Sequence, residues 1–420
     1  MFNRVVRSNK FTDNFIALKF ISSYYFLYSI LVLISNVFFI WPTISYFTVL
    51  IISLYYFFFF LGLISGSYIN RPIEISHSYS VNNFIKYFPF AMMLGPIAIW
   101  LILIKEYGGL AVIFTIGNTI RYDQIGQDTG IFPPILTYFN SIVYASFAIY
   151  LSLYLKNRSF VVLRGVILLF ISIFLIDLSL FGRIGMIYSL FMLIGFIYFL
   201  KKELNQQNKR VSKKKIILYS SILLILTISP RIIRSTEINQ EPLNEFYNDN
   251  ALRFPLPIYL QQVDQIVYTM VGPYYALDYK LGKDFEYGFG KASFTPVYRF
   301  LVRVGLINYN GYYNRIDENA INLSREFNVY SIIWDTYYDF GILGVIILPF
   351  IIGLYFAVLF KTKGLYHTAE KIYLTGWLGF SIFFNAFSFG NFMISWFFII
   401  LFKFFSRIKI FPKRNLIIVK

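Results

Sequence analysis

Residues 20–70 read FISSYYFLYSILVLISNVFFIWPTISYFTVLIISLYYFFFFLGLISGSYIN, without one charged side chain. A helix that crosses a bilayer needs about 20 apolar residues, so this run holds two. Trp41-Pro42-Thr43 interrupts it where a turn would fall. The spans are placed at 20–40 and 44–65, and this reading sets how the rest of the chain is read.

Outward from that run, charge-free stretches recur at 87–104, 129–155, 184–200, 216–230 and 340–360, and 161–181 is apolar apart from Arg164 and Asp177. The run 372–402 is too long for one helix and short for two. Lys361, Lys363 and Lys371 precede it and Arg407, Lys409, Lys413 and Arg414 follow it. Basic loops stay on the cytoplasmic side, so both flanks lie inside and the run is two helices, turning at Ser388-Phe389-Gly390-Asn391.

The expectation is an all-α polytopic transmembrane bundle of about ten spans with one large extracytoplasmic loop. Spans one to seven occupy 1–230, the loop 231–329, and spans eight to ten with a cytoplasmic tail 330–420. Both termini are expected inside a bacterial cytoplasmic membrane. The first span lacks a small-residue cleavage site and reads as an anchor, not a removed signal peptide.

Composition agrees: 57% hydrophobic, 14% charged, with 49 Phe and 35 Tyr in 420 residues. The formal charge of +17 would point to nucleic acid in a soluble protein, but residues 231–329 carry ten Lys/Arg against eleven Asp/Glu, leaving 28 against ten elsewhere. The excess sits between apolar runs, which is a topology signal and not a nucleic-acid face. With no Cys and only His77 and His367, thiolate sites are excluded and zinc chemistry is argued against. No metal or cofactor is expected.

The loop 231–329 is rich in tyrosine, including Tyr268, Tyr274, Tyr275, Tyr287 and Tyr298. A phenol ring with a hydroxyl handle suits a sugar, and it suits packing at the headgroup level equally well. The loop's basic residues are mostly Arg, whereas 201–215 is mostly Lys. A guanidinium grips phosphate oxygens with two hydrogen bonds. Arg299 and Arg303 lie at i,i+4, and Arg231 and Arg234 follow Pro230 at i,i+3, so each pair can sit on one helical face. They make a clamp for a lipid-linked diphosphate or, alternatively, ordinary interfacial arginines.

Arg183 sits in the glycine-flanked turn Gly182-Arg183-Ile184-Gly185, with Asp177 as a natural partner. Asp335 and Asp339 lie at i,i+4 just before the next span. One can act as a general base on a sugar hydroxyl, or both can cap the helix end.

Four stretches together resemble the oligosaccharide repeat-unit polymerases of the Wzy (O-antigen polymerase) family: Tyr107-Gly108-Gly109-Leu110 followed by Arg121; Gly182-Arg183-Ile184-Gly185; 268–277; and Asn328-Val329-Tyr330 through Gly344. The resemblance implies a metal-independent glycosyltransferase. It would move a growing glycan from undecaprenyl diphosphate onto the sugar of a new lipid-linked unit, building O-antigen or capsule. It makes Arg121, Arg183, Arg231, Arg234, Arg299 and Arg303 diphosphate or sugar contacts, Tyr274 and Tyr330 sugar contacts, and Asp335 or Asp339 the base. The expected partners are the glycan lipids, the bilayer and a chain-length regulator. Related ligases are similar in architecture but carry an outward-loop His, which this chain lacks, since His77 and His367 fall in expected cytoplasmic segments. A flippase is the alternative of a different class.

Overall fold

The computed structural model describes residues 44–69, 83–115, 134–179, 184–206, 273–278, 280–282, 285–303, 305–307, 331–381 and 390–407. Its helices are α1 Tyr46–Tyr68, α2 Asn83–Tyr107, α3 Leu110–Thr115, α4 Pro134–Lys156, α5 Phe160–Ser179, α6 Ile184–Gln206, α7 Thr295–Arg303, α8 Ile332–Lys361, α9 Leu365–Phe380 and α10 Gly390–Arg407. No strand occurs among the described residues. Four segments are long and apolar enough to cross a membrane: Tyr46–Tyr68, Lys86–Tyr107, Phe160–Ser179 and Ile332–Lys361. The expected spans 20–40 and 216–230 lie outside the described residues. What is established is therefore a helical protein with four membrane-crossing candidates, not a count of ten.

Two expectations can be compared with the described helices directly. The run 372–402 is divided, with α9 ending at Phe380 and α10 starting at Gly390. The span expected at 340–360 begins earlier, at Ile332, and is broken at Gly341 (φ 58°, ψ −147°). That φ is left-handed and is available to glycine without steric cost. The acids before the apolar run lie in the first piece, ahead of that break, where Asp335 and Asp339 are fully buried.

The described elements fall into two compact units that do not follow the linear division 1–230, 231–329 and 330–420. One holds α1, residues 273–307, α8 and Ser381; the other holds α2 to α6, most of α9 and α10. The reason for the difference is that α8 packs on α1, far away in sequence, and the described parts of 231–329 pack on both.

In the first unit α1 and α8 run parallel. Phe47 meets Tyr337 edge-on near the start of α8, and Lys361 at its end donates to the carbonyls of Ser67 and Ile69, closing the C-terminus of α1. Between these ends the two backbones come close. A Cβ on Gly62 would lie against the Phe350 carbonyl and 2.9 Å from Leu354 N; one on Gly66 would lie 2.7 Å from Leu354 O; one on Gly353 would lie 3.0 Å from Leu63 N. Gly62-Leu63-Ile64-Ser65-Gly66 is the small-xxx-small spacing with which membrane helices gain dispersion contact where lipid removes the hydrophobic drive. The opposite faces stay apolar and exposed, with Leu50, Phe57, Leu61 and Ile64 on α1 and Leu343, Ile347 and Ile351 on α8.

The second unit is tied through hydroxyls that bond backbone carbonyls, which keeps polar atoms satisfied inside an apolar bundle. Tyr188 of α6 donates to Tyr373 O of α9 (3.0 Å), and Tyr373 donates to Phe392 O of α10 (2.5 Å). The rings of Tyr188 and Phe392 stack with centroids 4.3 Å apart. Ser152 of α4 donates to Leu365 O (2.7 Å), and Trp100 of α2 donates to Leu175 O of α5 (3.0 Å).

Candidate functional site

The expected site residues that can be described gather in the first unit, around the start of α8 and the first half of α1. Residues 273–278 are helical. Tyr274, Tyr275, Ala276 and Leu277 are buried. The Tyr274 hydroxyl hydrogen-bonds the Tyr56 hydroxyl of α1. Asp278 stands at the N-terminus of α1, where its Oδ1 accepts from Ser45 N (2.9 Å), Ser45 Oγ (2.5 Å) and Thr48 Oγ1 (2.6 Å). A carboxylate at a helix N-terminus meets free N–H groups and the positive end of the dipole.

Segment 285–294 is held to α8 by the same device. Gly288 N donates to Tyr338 O (2.9 Å) and Phe289 N to Asp339 O (3.1 Å). The Asp339 carboxylate then accepts Ala292 N at Oδ1 (3.1 Å) and Ser293 N at Oδ2 (2.6 Å). Phe285 packs edge-on against Trp334 and Tyr337. Gly288 lies so close to Asp339 and Tyr338 that a Cβ there would overlap both.

Beside Tyr274 lies a small pocket of about 10 Å³, lined by Tyr55, Tyr56, Tyr274, Ser331, Ile332, Ile333 and Ser381. Its chemistry is a set of hydroxyls against apolar walls. Ser331 Oγ is buried and makes no hydrogen bond among the described residues, although Ser331 stands at the N-cap of α8. A pocket of that size holds about one water, so its hydroxyls can meet the polar edge of a polyol but do not enclose its ring.

Asp335 and Asp339 share one face of the first part of α8, as their spacing predicts, and neither is open to solvent. Both Asp339 oxygens are engaged by backbone amides, so its position is that of a loop anchor and not of a base facing a substrate. Arg299 and Arg303 both lie in α7, and the positions of their side chains lie outside the described residues. Arg121, Arg183, Arg231, Arg234 and Tyr330 lie outside them altogether. The arginine clamp is thus carried by sequence alone.

Asp177, expected as the partner of Arg183, has found helix amides. Its Oδ1 accepts Gly185 N (3.2 Å) and its Oδ2 accepts Met186 N (2.5 Å) in the first turn of α6. Sequence reasoning missed Asp278, Tyr56 and Ser331. Ser45 and Ser331 each carry a local signal, a small polar residue just before an apolar run. Asp278 and Tyr56 carry none, because their partners lie 233 and 218 residues away in the chain.

Compared with protein-family models, with curated proteins and with solved structures, the chain matches none. A functional reading therefore rests on its own residues.

Proposed function

We propose that the protein is a membrane glycosyltransferase that joins undecaprenyl-diphosphate-linked repeat units into a surface polysaccharide, in a bundle of about ten spans with 231–329 outside and both ends inside. The observation that carries this reading is the group of hydroxyls of Tyr56, Tyr274 and Ser331, gathered where the start of α8 meets the middle of α1. The parallel run of α1 and α8 fits the charge-based topology, in which both descend from the outer to the inner face.

In the reaction an acceptor hydroxyl attacks the anomeric carbon of the donor glycan, the carbon–oxygen bond to the diphosphate breaks, and undecaprenyl diphosphate leaves with the electron pair. Arg121, Arg183, Arg231, Arg234, Arg299 and Arg303 would supply the charge that a metal supplies elsewhere. The acceptor proton would pass to Asp335, since Asp339 already holds Ala292 and Ser293.

The test gives reconstituted full-length protein a synthetic undecaprenyl-diphosphate repeat unit and resolves products on a ladder gel. Lengthening supports the polymerase. Units that cross the bilayer without lengthening overturn it in favour of a lipid-linked oligosaccharide flippase.

One observation favours that second reading. His367, Glu370 and Lys371 are all buried in α9, and Glu370 pairs with Lys403 of α10 at 3.0 Å. These groups stand at the cytoplasmic end of the run 372–402, and buried ionisable groups at the mouth of a membrane bundle commonly mark transport or proton paths.

A further inference from the structure

We propose that residues 289–307, including α7, lie in the interfacial layer of the bilayer and moor the outer segment to the membrane surface. The proposal concerns where this segment sits and holds whichever reaction the protein performs.

The first observation is an apolar edge with no protein cover. Phe289 is 79% exposed, Phe300 62% and Leu306 74%, and Phe294, Val297 and Ile307 are exposed beside them. On α7, Val297 and Phe300 lie three residues apart, on one side of the helix. Arg299 falls across the helix from Val297, and Arg303 follows one turn after Phe300 at the end of α7. A short helix with one apolar side and arginines across it and at its end has the composition of a helix lying in a membrane surface. Aromatic rings and guanidinium groups are the side chains that layer favours.

The second observation fixes the depth. Segment 288–293 is hydrogen-bonded to Tyr338 and Asp339, immediately before the break at Gly341. From Gly341 to Lys361 the helix has about 20 residues, which at 1.5 Å each cover roughly 30 Å, the thickness of the hydrocarbon layer. With Lys361 at one boundary, Gly341 lies at the other, and the tethered segment lies beside it. The exposed stripe of Leu343, Ile347 and Ile351 runs down α8 from the same point. A surface that continues a lipid-facing stripe at the edge of the hydrocarbon is covered by the same lipid.

The chain has no Cys, so single nitroxide labels can be placed without native cysteines to remove. Phe289→Cys, Phe300→Cys and Leu306→Cys are labelled in full-length protein reconstituted into vesicles of phosphatidylethanolamine and phosphatidylglycerol, with Glu286→Cys, an exposed polar position, as reference. Collision with dissolved oxygen is compared with collision with a water-soluble nickel chelate. The expected result is a several-fold higher oxygen-to-nickel ratio at 289, 300 and 306 than at 286. Equal ratios at all four positions overturn the proposal, and so does exclusion of both reagents from 289, 300 and 306, which would mean that protein covers them. Leu306 lies beyond α7 and keeps the test valid if a label at 300 disturbs the helix.

Discussion

Asp339 Oδ2 accepts the backbone N–H of Ser293 at 2.6 Å across 46 residues of chain. This bond and its neighbour to Ala292 turn a carboxylate that looks like chemistry in the sequence into a clasp. Asp278 at the start of α1 and Asp177 at the start of α6 do the same work. Three acids in an apolar protein are each neutralised in effect by free helix or turn amides, the donors that an anion there fits best.

Asp339→Ala is expected to lower stability by about 1–3 kcal/mol, the cost of leaving buried amides without an acceptor. Thermal unfolding in nanodiscs reads the loss. If Asp339 were the reaction's base instead, Asp339→Asn would abolish elongation with an unchanged melting curve.

Gly62→Leu and Gly353→Leu should each destabilise the first unit, because the new side chain meets backbone of the opposing helix that cannot move aside. Overpacking of this kind costs about 1–3 kcal/mol. Phe57→Leu, on the exposed side of α1, serves as the control and should melt like the parent.

Tyr274→Phe removes one hydroxyl from the pocket and its bond to Tyr56. If these hydroxyls bind the glycan, losing a hydrogen bond of about 0.5–1.5 kcal/mol slows elongation by about 2- to 10-fold. Tyr56→Phe should act alike, and the double variant should lose less than the sum because the two hydroxyls share a bond. Unchanged ladders from all three would remove the pocket from the site.

Lys403→Met removes the cation that pairs with buried Glu370, whose other oxygen accepts the Trp396 indole N–H at 3.1 Å. Losing one half of a buried pair costs about 3–5 kcal/mol. Adding Glu370→Gln to it should recover most of the melting temperature. If the double variant is stable but lipid-linked units no longer cross vesicle membranes, the pair belongs to a transport path.

Membrane character, helical class and the division of 372–402 were legible in the sequence, because length, apolarity and flanking charge are local properties. The pairing of Asp335 and Asp339 on one face was legible from their spacing. So was the boundary near residue 340, where Asp339 ends the apolar run and Gly341 breaks the helix. The partners of these residues were not legible. That Gly62 and Gly66 meet Gly353's helix, that Tyr274 reaches Tyr56, and that Asp278, Asp177 and Asp339 close helix and turn ends depend on contacts between segments far apart in the chain. No periodicity encodes them. Sequence alone determined that this protein lives in a bilayer; only the tertiary structure decided which carboxylates hold the fold, because an acid's role depends on the donors brought to it from elsewhere in the chain.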